Sequence, residues 1–205
     1  VFFGQLRRLL DRLRREAQVE RLAVRVPEAS QGVQVDRVEV GREGRLGLDP
    51  ASCTRPHLIV IADELAVVPQ AVREHGARVI IAATRRLAPD GLDPRIKSLN
   101  YLNHILARIE ATNAGADEAI LLNQRGHVAE GSAENVFIVR DDELLTPPAT
   151  DGALEGITRM AVLETAASAG LRWREATLSP YDLYTAEECF LTGTGAELIP
   201  VREAD

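Results

Sequence analysis

The segment RIKSLNY, residues 95–101, holds the one lysine of the chain: of 24 basic residues, all but Lys97 are arginine. A primary amine that sheds its proton can condense with a carbonyl, whereas a guanidinium stays protonated to about pH 12 and beyond. The plain alternative is a surface lysine surviving in an arginine-rich composition. The chemical reading is covalent catalysis by Lys97, placed where a linker ends and a helix begins.

A second cluster lies in VAEGSAENVF, residues 128–137. Glu130 and Glu134 sit beside glycine and serine inside an apolar β region. Of the two, Glu130 is read as the buried acid and Glu134 as the one more readily left solvated at an edge. A buried carboxylate is driven neutral unless it has a partner, and a protonated ring nitrogen would satisfy Glu130 through a charge-assisted bond.

LEGITR and TGTG are the third feature. Gly156 permits close backbone approach, and the amides of Ile157 and Thr158 then open a helix, where unpaired N–H groups favour a phosphate. Thr194, between Gly193 and Gly195, offers a hydroxyl and an amide in a turn. Each alone is a common helix cap or turn. Together with Lys97 and Glu130 they supply an amine, a buried acid and two anion cradles, the parts needed to hold pyridoxal 5'-phosphate.

The elements that must position these residues follow from periodicity. Residues 5–17 place Leu6, Leu9, Leu10 and Leu13 on one helical face, and residues 33–40 alternate as a half-buried strand. HLIVIAD and ARVIIAAT are short β-branched runs that read as strands, with a helix between them in PQAVREHG. RRLAPDGLDPR, with two prolines and a glycine, is the best linker. Beyond it comes a helix whose Leu99, Leu102, Ile105, Leu106 and Ile109 form one apolar stripe ended by Gly115. EAILLN and HVAEG flank the turn QRG, NVFIVRDDELLTPP reads as a hairpin through Asp141 and Asp142, and residues 156–170 form a helix stopped by Gly170. The fold class is α/β (α+β), with a small domain over 1–85, a linker over 86–96 and a large cofactor-binding domain over 97–205.

Composition excludes several functions. The net charge of -7 gives no basic surface for nucleic acid, and no apolar run approaches a membrane span. Cys53 and Cys189 share no short spacing, and the four histidines show no ligand spacing, so reduced cytoplasmic thiols are expected and a metal site is not. The chain opens on Val1 and closes on VREAD, and is expected to be a fragment lacking both ends.

KSLNYLNHILA, ADEAILLNQRGHVAEGSAENVFIV, LLTPP, GALEGITR and EECFLTGTGAELIPV resemble, in this order and spacing, the fold-type IV (class IV) pyridoxal-phosphate aminotransferases. That family includes branched-chain aminotransferases, D-amino-acid aminotransferases and aminodeoxychorismate lyases. The resemblance implies two domains, the larger a pseudo-barrel. It implies that Lys97 is the catalytic residue, joined covalently to the cofactor, that Glu130 pairs with the pyridine nitrogen, and that Tyr101 reaches the phenolic oxygen. Leu154 would press on the ring, and Ile157, Thr158, Thr194 and Arg12 would hold the phosphate, with Asn135 and Gly156 also lining the cofactor. Tyr101, Gly193, Thr194 and Gly195 would meet the substrate. The branched-chain branch is the nearest, which implies amino transfer from a branched-chain L-amino acid to a 2-oxo acid by a cytoplasmic homodimer. D-amino-acid transamination, aminodeoxychorismate lysis, and an inactive truncated relative keeping only fold and dimer surface remain the alternatives.

Overall fold

The computed structural model describes residues 34–44, 49–63 and 68–205. They fall into two compact units, one within residues 20–67 and one containing residues 68–205. The helix expected over 5–17 and the phosphate contact expected of Arg12 lie outside the described residues.

In the smaller unit, β1 (Gln34–Gly44) pairs antiparallel with β2 (Cys53–Asp63) as a two-stranded sheet. Residues 34–40 of the alternating stretch are therefore a strand, which runs four residues further than the pattern, and HLIVIAD forms the end of its partner.

The larger unit runs α1 (Gln70–His75), β3 (Ala77–Ile81), α2 (Leu102–Asn113), β4 (Glu118–Leu122), β5 (Val128–Gly131), β6 (Asn135–Arg140), β7 (Glu143–Thr146), α3 (Ile157–Ser168), β8 (Arg172–Glu175), α4 (Pro180–Tyr184), β9 (Glu188–Gly193) and β10 (Glu197–Ala204). Its sheet has eight strands in the order β5-β4-β3-β10-β9-β6-β7-β8. β3 pairs parallel with both β4 and β10, and β7 with β8; the other neighbours are antiparallel. Residues 68–85, expected in the first domain, thus pack with the second unit. The reason is the β-branched run Val79-Ile80-Ile81, which makes a central strand and needs a neighbour on each side.

The connection from β5 to β6 forces the sheet to curl. β5 is an edge strand and β6 lies sixth in the order, yet only residues 132–134 join them. Five strand spacings on a flat sheet span roughly 24 Å, whereas the four peptide steps from 131 to 135 reach at most about 14 Å. The Gly131 N–H also donates to the Glu134 carbonyl, pinching the loop shut. The sheet closes into a partial barrel, and this loop sits where it closes.

Apolar residues alternate accordingly. Ile120, Leu122, Val136 and Ile138 join one core with Val128, Leu178 and Leu191. Phe137, from the same strand as Val136 and Ile138, instead packs with Phe190 and with Val162, Leu163 and Ala166 of α3. The two phenylalanine rings are stacked 5.0 Å apart. Ala119 and Leu121 face α2 through Ala107 and Ala111. The period of two therefore splits single strands between two cores.

Helix α2 forms within the segment that its apolar stripe marks, but the stripe does not meet the sheet. It buries Ala107 and Ala111 completely, while Leu102, Ile105, Leu106 and Ile109 of the apolar stripe are 46–62% exposed. Small side chains let the helix axis lie close to the sheet, and the larger residues occupy the faces turned away. The turns follow the sequence more closely. Asp141 and Asp142 take φ of 53° and 58°, the paired left-handed geometry of a two-residue hairpin, and Gly170 takes φ of 69° at the stop after α3.

Candidate active site

The segment between β3 and α2 carries no regular structure and is fixed from below. Glu110 of α2 accepts the Ala83 and Thr84 amides at 2.6 and 3.0 Å, together with the Thr84 hydroxyl. The Arg86 amide then donates to the Leu122 carbonyl at 2.8 Å, extending the pairing beyond β3. Further on, Arg95 grips Asp93, whose carboxyl falls to about 2 through hydrogen bonds from the Arg95 side chain and amide. Lys97 follows that turn. It is exposed, and its amine has no hydrogen-bond or ion-pair partner among the described residues.

Lys97 lines an open cleft together with Arg86, Tyr101, His104, Glu130 and Leu154. Gly131 at the end of β5, with Ser132 and Ala133 from the loop that closes the barrel, forms one wall. The cleft thus brings together four residues singled out in the sequence: Lys97, Tyr101, Glu130 and Leu154.

Glu130 is 6% exposed and has a partner inside the chain. That partner is Arg86, itself 6% exposed, whose Nε donates to Glu130 Oε1 at 2.8 Å, so the carboxylate is already paired within the chain. Arg86 Nε also faces the Gly152 carbonyl at 3.2 Å. The Leu154 amide donates to Glu130 Oε2 at 2.8 Å. His104 Nε2 lies 3.4 Å from Oε1, and its ring is 4.8 Å from that of Tyr101.

The remaining candidates surround this centre without lining it. Asn135 Nδ2 donates to the Leu154 carbonyl at 2.8 Å, and a Cβ on Gly156 would sit 2.3 Å from Asn135 Oδ1. Residue 156 is glycine for that reason. Asn135 and Gly156 therefore lock the chain just before α3, whose first residues Ile157 and Thr158 follow with no side-chain cap. The 193–195 turn is braced by α1: Arg73 donates to the carbonyls of Ala196 and Gly195 at 3.1 and 3.4 Å. A Cβ at Gly193 would lie 3.5 Å from the Ala133 carbonyl, so the turn abuts the wall loop. Ile157, Thr158, Thr194 and Gly195 are not among the residues lining the cleft.

The sequence model of the amino-transferase class IV family matches residues 6–204. This chain belongs to the class IV aminotransferases. It is 48% identical over 162 residues to a putative branched-chain-amino-acid aminotransferase of Methanocaldococcus jannaschii, an alignment covering 79% of this chain and 55% of that protein. Among solved structures, the Escherichia coli branched-chain amino acid aminotransferase aligns with a TM-score of 0.76 at 36% identity, covering 80% of this chain and 54% of the other. The PLP-form of the Thermobaculum terrenum branched-chain enzyme gives 0.69 at 34% identity, over 79% and 53%. The chain spans about half the length of the relatives it matches, and the curled sheet is the fold-type IV architecture.

Two residues of this class IV aminotransferase cleft escaped the sequence reading. Arg85 and Arg86 are adjacent, and nothing in the linker distinguishes the exposed one from the buried one. His104 was legible in principle, since it lies three residues after Tyr101 and so on the same helical face.

Glu134 corrects a further expectation. It is 7% exposed rather than solvated, because the wall loop folds it beneath Gly131 and against Glu118. Glu118 receives Arg108 at 2.6 Å and the Ser132 amide at 2.9 Å. Burial first, then the charge of Glu118 and a hydrogen bond with it, push the Glu134 carboxyl up to about 8, against the Ala133 amide and Arg108. Its folded pKa thus stands above the ordinary carboxylate value of 4.5. The stability it contributes is whole below pH 4.5 and is lost as pH rises through about 8. Glu134→Gln keeps a donor toward Glu118 and cannot ionise. Denaturant unfolding at pH 5 and pH 8 is expected to show the wild type losing on the order of 2 kcal/mol more than the variant across that interval. Parallel losses would show that Glu134 is already ionised at pH 5.

Proposed function

We propose that the protein containing this chain transfers the amino group of a branched-chain L-amino acid to a 2-oxo acid, using pyridoxal 5'-phosphate. The supporting observation is the cleft itself: a partner-free lysine amine lies in one cavity with a buried carboxylate that retains an open acceptor site. The residues fit the cofactor. Lys97 offers a nucleophilic amine, Glu130 an acceptor for a ring N–H, Leu154 an apolar side chain at the cleft, and α3 an uncapped N-terminus for a phosphate. The phosphate contacts of Ile157, Thr158, Thr194 and Arg12, and the substrate contacts of Gly193 and Gly195, are part of the same proposal.

When bound, pyridoxal phosphate supplies an electron sink joined to the substrate's α-carbon. Lys97 would have two tasks: its Nζ would hold the cofactor, and as a free amine it would take the substrate's α-proton as general base and return a proton as general acid. Glu130 holds a proton on the ring nitrogen, and Arg86 with the Leu154 amide keeps that carboxylate aimed. Tyr101 places a hydroxyl-bearing ring at the cleft beside Lys97. Asn135 fixes the Leu154 backbone, so the ring-facing residue and the start of α3 are held by one side chain.

Borohydride treatment of the cofactor-loaded protein, followed by peptide mapping, is expected to leave the label on Lys97. A label elsewhere, or none in a folded and loaded sample, overturns the reading. Assays with L-valine, L-leucine and D-alanine as donors to 2-oxoglutarate then sort branched-chain from D-amino-acid activity.

A homodimer belongs to the proposal. Leu99, Leu102, Ile105, Leu106 and Ile109, all 46–67% exposed, line one side of α2 and the residue run before it, where a second copy would find apolar surface to cover. A monomeric full-length protein in sedimentation would count against it. Among the described residues no helix is long and apolar enough to cross a membrane, and a cytoplasmic site of action, which suits the free Cys189, completes the proposal.

A further inference from the structure

His104 has no part in the roles proposed so far, yet it is placed between two residues that have one. Its side chain is 12% exposed. One ring nitrogen, Nε2, faces Glu130 Oε1, while the other, Nδ1, is buried without a hydrogen-bond partner among the described residues. These two facts decide the tautomer. With the proton on Nδ1, a bare Nε2 lone pair would face a carboxylate oxygen, and an N–H would be buried with no acceptor. With protons on both nitrogens, a buried charged donor would be left unpaired, the most costly arrangement of the three. With the proton on Nε2 alone, the imidazole donates to Glu130 and leaves only a weak acceptor unfilled.

An ionised carboxylate offers about four acceptor sites. Glu130 Oε1 then receives Arg86 Nε and His104 Nε2, and Oε2 receives the Leu154 amide. One site remains. We propose that His104 is a positioning residue that gives Glu130 a neutral donor, fills the second site on Oε1 and leaves Oε2 alone to accept a hydrogen bond from a pyridine-class cofactor in the cleft.

The neutrality of that donor matters because Arg86 already balances Glu130. A ring N–H bearing positive charge must share one carboxylate with a guanidinium, and a second cation at position 104 would weaken its hold further. His104 restrains Glu130 without adding charge. Its ring also lies 4.8 Å from Tyr101, tilted by 32°, so the same side chain braces both residues.

The inference rests on the proposed pyridoxal phosphate site, but its first test does not. Nitrogen-edited NMR of the cofactor-free protein near pH 8 is expected to show His104 as the Nε2–H tautomer, and an Nδ1–H tautomer overturns the proposal. The second test uses two substitutions whose rank separates positioning from padding. His104→Gln keeps a neutral donor and discards the ring; His104→Phe keeps the ring and discards the donor. Positioning predicts that pyridoxal phosphate binds His104→Gln within about twofold of wild type and His104→Phe roughly three- to tenfold more weakly, the worth of one hydrogen bond. The wild-type preference for pyridoxal phosphate over its ring-N-methyl derivative, which has no N–H for Glu130, is expected to shrink in His104→Phe and persist in His104→Gln. If His104 merely fills space, the order reverses and the preference is equal in both variants. Failure of the wild type to bind pyridoxal phosphate would sink the functional proposal instead, leaving the tautomer to be judged by NMR alone.

Discussion

Lys97→Ala is expected to fold as stably as the wild type, to bind pyridoxal phosphate without covalent attachment, and to lose about 10⁴-fold in amino-transfer rate. Stability should hold within about 0.5 kcal/mol, because the side chain is exposed and makes no hydrogen bond or ion pair among the described residues. The rate loss corresponds to the upper end of what a positioned general acid–base contributes. Binding should persist because Glu130, Leu154 and the start of α3 do not depend on the amine. The expected result is therefore a split: cofactor retained, turnover gone. Lys97→Arg should behave alike, since a guanidinium can neither condense with a carbonyl nor deprotonate near neutral pH. Added small primary amines should restore part of the rate in Lys97→Ala, where removing the side chain leaves space, and none in Lys97→Arg. A Lys97→Ala protein that retained more than a few per cent of turnover would show that another group moves the α-proton.

The parts of this site that were legible in the sequence are those governed by local rules. Gly156 before a helix and Asp141-Asp142 at a hairpin both depend on neighbours a few residues away. Glu130 was singled out because a carboxylate amid apolar strand residues is costly anywhere. What could not be read was pairing across the fold. Arg86 finds Glu130 from forty-four positions away only because β3 and β5 flank β4. Glu134 becomes buried only because the barrel closes at its own loop, an event set by strand order rather than by residue type. The burial of α2 was hidden for the same reason: periodicity identifies an apolar face but not what covers it, and here two alanines meet the sheet. The unit boundary near residue 68 depends on β3 pairing with β10, more than a hundred residues later.

The Arg86–Glu130 pair allows stability and function to be separated by experiment. Both side chains are within 8% of complete burial, so removing one leaves the other's charge in a poor solvent. Arg86→Met is expected to destabilise the fold by about 3–5 kcal/mol, the usual effect of orphaning a buried charge. Glu130→Gln should cost less, since Arg86 keeps the Gly152 carbonyl at 3.2 Å and the glutamine oxygen can still accept the Leu154 amide. Combining them removes both charges at once, and a buried neutral pair is often no less stable than the ionic one. The double variant should therefore regain most of the stability lost in Arg86→Met, giving a coupling energy of about 2 kcal/mol or more in a denaturation cycle. Activity should follow a different course. Every variant carrying Glu130→Gln lacks the carboxylate proposed to hold the ring proton, so its half-reaction should be slower by roughly 10²-fold, equivalent to about 3 kcal/mol, however stable it is. Additive stabilities would show that the two residues are not coupled in the folded protein. A double variant that recovered turnover along with stability would show that Glu130 acts through the fold alone and faces no reacting group.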